Sequence, residues 1–308
     1  MESNISFSRE TFPVTSFQDG LILSVMTVIP EHPHAILQIA HGMCEHKERY
    51  LPFMEYMASQ GFACIIHDHR GHGKSVKSQD DLGYFYANGG PSLVKDLHQI
   101  SRYIRSIYLD LPFYLLGHSM GSLAARVYLK HYEKELDKLI LCGSPSGHPL
   151  AGPGLSLVSL LSHIKGDHAR SPLINQLFSS AFEKPFAKEG RIHAWICSDP
   201  KVVEEYNASA LCNFTFTLNG YQALLWLLQN TYSKKGWHPQ KPDLPIFFFS
   251  GQQDPCMVSE EKFHASVHFL SQIGYRRVSS RLYPGMRHEI LNEPGRMNVF
   301  QDIREALG

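Results

Sequence analysis

Short apolar runs and longer amphipathic segments follow one another along this chain in a regular order. Mainly apolar runs of strand length occupy residues 34–40, 62–67, 112–116 and 138–143. The segments between them, above all 91–108, place apolar side chains on one face of a predicted helix. Strands that are apolar throughout and alternate with helices predict an α/β fold, in which helices cover both faces of a mostly parallel sheet.

The same alternation occurs again near the C-terminus. Residues 245–250 and 278–283 predict two strands, and residues 259–273 and 296–307 predict the helices that follow them. Near the N-terminus, a strand at 21–29 is expected to pair as a hairpin with the segment that precedes it.

A long interruption separates these two stretches of alternating strands and helices. No convincing strand occurs between residues 146 and 240, whereas three apolar segments there have helical length: 155–164, 174–182 and 218–228. We therefore predict a helical insertion, the name used below for residues 146–240. It would divide one α/β core into a first part, residues 1–145, and a second part, residues 241–308.

The composition is that of an ordinary globular protein without a broad charged surface. Basic and acidic side chains balance at 29 each in 308 residues, so the overall charge favours neither nucleic acid nor an anionic membrane as a partner. Residues 1–10 are polar and lack the apolar core of a secretory signal, and no apolar run has the length of a membrane span. The six cysteines are scattered and do not indicate a disulfide framework. The sequence therefore predicts a cytoplasmic protein.

The apolar run at 112–116 leads into Gly117-His118-Ser119-Met120-Gly121, a Gly-x-Ser-x-Gly pentapeptide that a helical segment follows. A strand, a sharp turn and a helix in this order hold a serine hydroxyl above the end of a sheet. Glycine is expected on both sides of the serine, because the strand and helix backbones converge there. Ser119 is therefore the candidate nucleophile, provided that later strands supply a base and an acid.

A serine hydroxyl becomes a nucleophile near neutral pH when a histidine, itself oriented by a carboxylate, takes its proton. In open α/β sheets the reactive residues gather beyond the carboxyl ends of the strands. Asp254 follows the strand at 245–250, and His288 follows the strand at 278–283, both at this end. We therefore assign Asp254 as the acid and His288 as the base.

Other acids and histidines near these strands fit less well. Asp243 precedes its strand and so lies at the opposite end of the sheet. Four candidates fall within the predicted helix at 259–273: Glu260, Glu261, His264 and His268. The order serine, acid, histidine along the chain is also the order expected of this architecture.

Acyl transfer also requires donors for the oxyanion, usually two backbone N–H groups. The amide of Met120, directly after the nucleophile, is one candidate. The amide of Met43, in the loop after the strand at 34–40, is the other, because Gly42 lets the backbone approach the substrate there. The alternative is that Gly42 serves only a tight turn.

Histidines concentrate in two loops and offer a metal site as a rival interpretation. They are His41 and His46 in the first loop, and His67, His69 and His72 in the second. Imidazole is a common zinc ligand, but these spacings come from turns and no cysteine pair accompanies them. We therefore expect no metal and no cofactor, and interpret Asp68 and Arg70 as parts of a turn held by hydrogen bonds and ion pairs.

Together these motifs resemble the α/β-hydrolase superfamily and, within it, the monoacylglycerol lipase and lysophospholipase-like branch. Five stretches carry the resemblance, namely His41-Gly42-Met43-Cys44-Glu45-His46, Asp68-His69-Arg70-Gly71-His72-Gly73-Lys74-Ser75, Gly117-His118-Ser119-Met120-Gly121, Ser250-Gly251-Gln252-Gln253-Asp254-Pro255 and Tyr283-Pro284-Gly285-Met286-Arg287-His288-Glu289. The resemblance covers nearly the whole chain. It implies an α/β-hydrolase fold in which the helical insertion is a cap that shapes the acyl pocket.

The leading functional hypothesis is a serine carboxylic-ester hydrolase that forms an acyl-enzyme with monoacylglycerols, lysophospholipids or other small single-chain esters. The apolar run Leu224-Leu225-Trp226-Leu227-Leu228 favours an acyl-chain preference, although packing of the insertion explains it equally well. The alternatives are a thioesterase, a phenolic-acid esterase or a small peptidase with the same triad, and a non-hydrolytic binding protein on the same scaffold. The expected partner is a small ester, with transient contact between the cap and a lipid surface, and the oligomeric state is left open.

Overall fold

The structure, a computed structural model, describes residues 6–308 and places eight strands in one sheet. The strands are β1 (Phe7–Thr15), β2 (Ile22–Pro30), β3 (Ala35–Ala40), β4 (Phe62–His67), β5 (Phe113–His118), β6 (Lys138–Cys142), β7 (Ile246–Gly251) and β8 (Val278–Tyr283). Their order across the sheet is β1, β2, β4, β3, β5, β6, β7, β8. The first five residues of the polar N-terminal stretch lie outside the described residues.

The sheet is parallel except at one edge, which confirms the predicted α/β class. β1 and β2 form the expected antiparallel hairpin, in which Thr15 pairs with Ile22, and β2 also runs antiparallel to β4. All other neighbouring strands are parallel, from β4 and β3 to β7 and β8. The loops that follow β3, β5, β6, β7 and β8 therefore leave the sheet at the same end.

Nine α-helices occur in the described part of the chain. They are α1 (Leu51–Ser59), α2 (Gly89–Ile107), α3 (Met120–Tyr132), α4 (Ala151–Lys165), α5 (Pro172–Glu183), α6 (Pro200–Ala208), α7 (Leu218–Tyr232), α8 (Glu260–Ile273) and α9 (Arg296–Leu307).

Helices cover both faces of the sheet. Successive side chains of a buried strand point to opposite faces, so neighbouring residues pack against different helices. On β6, Leu139 and Leu141 belong to the apolar core that contains α2, α3 and α8. Ile140 and Cys142, the residues next to them, belong to a second core that contains α1 and α9. This explains why the strands are apolar along their whole length.

The helical insertion contains α4, α5, α6 and α7, and no strand lies between Cys142 and Ile246 in the described chain. Three of these helices match the predicted apolar segments, whereas α6 was not predicted. In α6 only Val203 and Tyr206 are buried, so its apolar stripe is too narrow to be recognised in the sequence. A 3₁₀ turn, Lys47–Tyr50, directly precedes α1.

The cysteines and the helices of the described residues bear on the expectations about disulfides and membrane spans. All six cysteines lie within residues 6–308, and each is a buried free thiol. Among these residues, no helix combines the length and the apolar character that crossing a membrane requires.

Candidate active site

Ser119 occupies a strained turn between β5 and α3. Its backbone has φ 52° and ψ −120°, a conformation that non-glycine residues rarely adopt. Glycine is required on both sides of Ser119, because the backbones of the strand and the helix approach each other closely there, as the sequence predicts. A Cβ at Gly117 would lie 2.5 Å from the carbonyl oxygen of Gly121, and a Cβ at Gly121 would lie 2.0 Å from that of Ala40. The elbow thus holds Ser119 at the carboxyl end of the sheet.

Asp254 and His288 are joined by a hydrogen bond of 2.9 Å between Asp254 Oδ1 and His288 Nδ1. Asp254 also accepts hydrogen bonds from the N–H of Cys256 at 2.8 Å and the hydroxyl of Ser250 at 3.0 Å. Burial opposes ionisation of Asp254, but the charge and hydrogen bond of His288 and these two donors outweigh it and hold the pKa of Asp254 below its usual value. An ionised Asp254 makes Nδ1 the donor, which orients His288 Nε2 as the free base.

Ser119 and His288 line the same cavity, together with Met43 and Met120. The hydrogen-bond partner of His288 Nε2 in the structure is Cys256 Sγ, at 3.9 Å, rather than the Ser119 hydroxyl. Catalytic hydrogen bonds in free enzymes are often long and shorten when substrate binds. The structure therefore brings the predicted nucleophile and base to one cavity, with the serine–histidine hydrogen bond not yet formed.

The residues of the two candidate oxyanion donors, Met43 and Met120, line the same cavity as Ser119. Met120 is the first residue of α3, where a helix leaves backbone N–H groups without partners inside the helix. Met43 follows Gly42, and a Cβ at Gly42 would lie 3.1 Å from the Ser119 Cβ. The same Cβ would lie 2.5 Å from Oε1 of Glu45, so glycine is needed at position 42 because this loop packs closely against the Glu45 carboxylate as well as against the nucleophile.

The cavity around Ser119 has a volume of about 120 Å³ and is mainly apolar. Phe178, Trp195 and Tyr206 of the helical insertion contribute to its wall. From the apolar run at 224–228, Leu224, Leu225 and Leu228 face the cavity. Leu227 is instead buried in the core, and Trp226 packs against Gly90 at the start of α2. The run is thus divided between the cavity wall and the core, and an acyl-chain preference stays a prediction.

The rejected acids and histidines lie away from this cavity. Asp243 is 63% exposed and pairs with Arg276. Glu260 lies on α8 and accepts a hydrogen bond from Gln252. His264 and His268 are also on α8.

The histidine-rich loops form a buried cluster beside the sheet. His41, His67, His69 and His72 are fully buried, and burial, the largest cause in each case, lowers the pKa of His67 to about 3 and that of His72 to about 4. The turn between them is held as expected. Asp68 pairs with Lys47, and Arg70 pairs with Asp96, in both cases at 2.8 Å.

One set of side chains in residues 6–308 could offer ligand atoms to a metal ion. The set is Asp254, Cys256 and His288, whose nitrogen, oxygen and sulfur atoms all lie within 4.8 Å of one another. Asp254 and His288 are already bonded to each other in the arrangement that a serine–histidine–aspartate site needs. We therefore interpret the set as part of such a site.

Four polar residues at the cavity had no role predicted from the sequence: Glu45, His118 and Glu289, which line it, and Arg49, which pairs with both glutamates. All four are buried or nearly so and bonded to one another. Glu45, His118 and Glu289 stand in the quoted motifs, but no role was assigned to them. Their position after the carboxyl ends of β3, β5 and β8 is the signal that could have identified them.

Comparisons with a protein family, with two related proteins and with a solved structure relate the chain to known proteins. A model of the family described as "Serine aminopeptidase, S33" matches residues 31–295. A monoacylglycerol lipase from Mycolicibacterium smegmatis is 25% identical over 279 residues, which cover 88% of this chain and 87% of that protein. Phospholipase YtpA from Bacillus subtilis is 28% identical over 278 residues, covering 89% of this chain and 95% of that protein. The crystal structure of a thermostable carboxyl esterase from Bacillus coagulans, in complex with glycerol, is similar with a TM-score of 0.88 and 27% identity over 98% of each chain.

Proposed function

Because the chain belongs to the serine aminopeptidase S33 family and is a serine hydrolase with an α/β-hydrolase fold, we propose that it hydrolyses single-chain carboxylic esters with Ser119, His288 and Asp254. The observation that carries this assignment is the Asp254–His288 hydrogen bond of 2.9 Å, which orients His288 towards a cavity that Ser119 also lines. Monoacylglycerols and lysophospholipids are the proposed substrate class.

The proposed reaction has two halves. The Ser119 hydroxyl attacks the ester carbonyl while His288 Nε2 takes its proton, and the amides of Met43 and Met120 stabilise the oxyanion. His288 then gives the proton to the departing alcohol, which leaves an acyl-enzyme on Ser119. A water molecule deprotonated by His288 attacks the acyl-enzyme, and His288 returns the proton to the Ser119 oxygen as the acyl–serine bond breaks and the acid leaves. Asp254 keeps Nδ1 protonated and stabilises the imidazolium that forms in both halves.

Two adjoining cavities support a substrate with an acyl chain and a polar head. The cavity around Ser119 is apolar, with Leu224, Leu225 and Leu228 in its wall. A second cavity of about 500 Å³ shares Met43 and Trp195 with it. The second cavity also contains polar side chains: Asn175, Ser179, Glu183, Arg191, His193, Asn213 and Thr215. We propose that the acyl chain occupies the first cavity and the alcohol part of the ester occupies the second.

The charges around Ser119 favour an ester over a peptide with a free amino terminus. An aminopeptidase needs an unpaired carboxylate to bind the substrate ammonium group. The two carboxylates that line the cavity are Glu45 and Glu289, and both are paired with Arg49. Neither is available for an ammonium group, and Glu183 in the second cavity accepts a hydrogen bond from the N–H of His193, so we propose ester hydrolysis rather than aminopeptidase activity.

A substrate panel tests this proposal. We expect monoacylglycerols and p-nitrophenyl esters to be cleaved with the highest kcat/KM, and thioesters, phenolic-acid esters and aminoacyl substrates to be cleaved much less well. The measurement is kcat/KM for each class at several acyl-chain lengths, with fluorophosphonate labelling as a check that the enzyme is active. Faster cleavage of aminoacyl substrates than of esters would contradict the proposed substrate class.

The helical insertion presents apolar side chains to solvent on two helices, which supports its role as a cap that touches lipid. Leu157, Leu160 and Ile164 are spaced along one face of α4 and are 46%, 57% and 68% exposed. Leu173 and Leu177 on α5 are 62% and 59% exposed. An exposed apolar patch of this kind marks an interaction surface. We propose that this surface contacts the lipid aggregate that supplies the ester.

Replacing Leu157, Leu160 and Ile164 together by serine is expected to lower activity on monoacylglycerol presented in vesicles. Activity on a soluble short-chain p-nitrophenyl ester should stay unchanged, because Ser119 and its cavity are not altered. The measurement is the ratio of the two rates, together with vesicle co-sedimentation. Leu109→Ser is the matched control, since Leu109 is 78% exposed but precedes β5, at the opposite end of the sheet. An equal loss on both substrates would count against a lipid-contact role.

The cap boundaries, residues 146–240, and the cytoplasmic location both stay predictions.

A further inference from the structure

Three loops around Ser119 come from strands that are not all direct neighbours in the sheet. Gly42 follows β3, His118 ends β5, and His288 follows β8. β3 and β5 are neighbours, but β6 and β7 separate β5 from β8. Strand pairing therefore connects His288 to Ser119 only through two intervening strands, and direct contacts between their loops would fix the relative position more closely.

Glu45 contacts the first two of these loops directly. One of its carboxylate oxygens accepts hydrogen bonds from the N–H of Gly42 and, at 2.8 Å, from the hydroxyl of Tyr50. The same oxygen lies 3.1 Å from Nδ1 of His118, the residue before the nucleophile. Glu45 is 2% exposed, so these contacts form away from water. Burial opposes its ionisation, but His118 and Arg49 outweigh burial and hold the pKa of Glu45 well below its usual value.

Arg49 connects Glu45 to the third loop. Its Nη1 lies 3.2 Å from the second carboxylate oxygen of Glu45. Both of its terminal nitrogens donate to Glu289, the residue after His288, at 2.6 Å each. A bidentate pair of this kind fixes orientation as well as distance, because the guanidinium and the carboxylate are both planar.

The hydrogen bonds of His118 are satisfied when both of its ring nitrogens carry protons. Nδ1 faces the Glu45 carboxylate, and Nε2 lies 3.4 Å from the carbonyl oxygen of His288. The single proton of the Tyr50 hydroxyl is donated to Glu45, so the Tyr50 oxygen, 2.9 Å from Nδ1, also acts as an acceptor towards His118. Every neighbour of the ring nitrogens is then an acceptor. Burial opposes a charged ring, but the hydrogen bond and charge of Glu45 raise the pKa of His118 above its usual value.

We propose that Glu45, acting through His118 and Arg49, is the positioning residue that holds the loop of Met43, the elbow of Ser119 and the loop of His288 in one arrangement. Glu45 acts on these loops and not on the substrate. The inference rests on the proposed function, since it concerns the geometry of that reaction. It adds a role for the Glu45 and His118 side chains, which the proposed triad and oxyanion site leave unused.

Glu45→Gln tests this proposal, because glutamine keeps the shape of the side chain but removes the charge that pairs with His118 and Arg49. We expect kcat to fall by about 10²-fold, the effect of a misplacement of roughly 1 Å, with little change in KM. The rate of fluorophosphonate labelling should fall in proportion, and the imidazole ¹⁵N shifts of His118 should change from the imidazolium to the neutral form. Glu48→Gln is the matched control, since Glu48 is in the same turn but pairs with His46 and Lys47.

The outcomes separate this inference from the proposed function. A wild-type protein that does not react with fluorophosphonate would refute the proposed function itself. If the wild type reacts and a folded Glu45→Gln variant labels at the same rate, the positioning role alone is refuted. If Glu45→Gln does not fold, Arg49→Lys decides, because lysine cannot make the bidentate contact with Glu289. A lower kcat with an unchanged KM in Arg49→Lys would support the positioning role, and an unchanged kcat would overturn it.

Discussion

Replacing Ser119 by alanine is expected to abolish ester hydrolysis, with a loss in kcat of about 10⁶-fold, the size measured when the serine of a comparable triad is removed. The reason is that the acyl-enzyme cannot form without the hydroxyl. Binding should persist, because the apolar cavity around residue 119 is not changed by the loss of one oxygen. The measurements are single-turnover hydrolysis of a p-nitrophenyl ester and labelling with a fluorophosphonate, both of which should disappear.

Ser146→Ala provides the matched control for this variant. Ser146 is also buried and also follows a strand of the sheet, but its hydroxyl accepts a hydrogen bond from Ser266 and not from the proposed triad. It should label and turn over like the wild type. Persistent labelling of Ser119→Ala would show that another side chain is the nucleophile, and the assignment of Ser119 would then be wrong.

The strands and most helices of this chain could be predicted because each leaves a simple pattern in the sequence. β4 and β8 have the predicted boundaries, since both are bounded by glycine, proline or a change of polarity. The helix α6 left no such pattern, because only two of its side chains are buried. The elements that were missed are those whose apolar surface is too small to show periodicity.

Candidate residues of the site could be named from the sequence because strand direction limits where a reactive side chain can lie. Asp254 and Asp243 flank the same strand, and the parallel sheet places them at opposite ends. The same rule places Glu45 and Arg49 after the carboxyl end of β3, but it does not give their role. Their role depends on a bond to Glu289, which is 240 residues from Arg49 in sequence, and local patterns contain no information on such a contact.

The helical insertion shows a further limit of sequence reasoning. Leu225 and Leu227 are separated by one residue, but Leu225 faces the cavity and Leu227 lies in the core. Two residues correspond to about 200° around a helix, so neighbouring leucines of one run serve opposite surfaces. The composition of the run therefore predicts an apolar environment, while the choice between pocket and core depends on what packs against α7.

Replacing Asp254 by asparagine is expected to lower kcat by about 10⁴-fold while KM stays nearly constant. Asparagine keeps the size of the side chain but not its charge, so it cannot stabilise the imidazolium that His288 becomes in the transition state. Its amide can also present an N–H to Nδ1 of His288, which favours the wrong tautomer. An interaction made only in the transition state affects kcat and kcat/KM equally.

Asp243→Asn is the control for Asp254→Asn. It separates the loss of the proposed catalytic acid from the effect of removing any aspartate next to β7. Asp243 is exposed and pairs with Arg276 at the other end of the strand, so its variant should keep wild-type turnover. Thermal unfolding of both variants identifies any loss that comes from instability, which is relevant because Asp254 also accepts hydrogen bonds from Cys256 and Ser250. A folded Asp254→Asn enzyme with near-normal kcat would show that another carboxylate orients His288. Glu45 and Glu289 are both paired with Arg49, so neither is free to replace Asp254. We therefore expect the full loss of kcat.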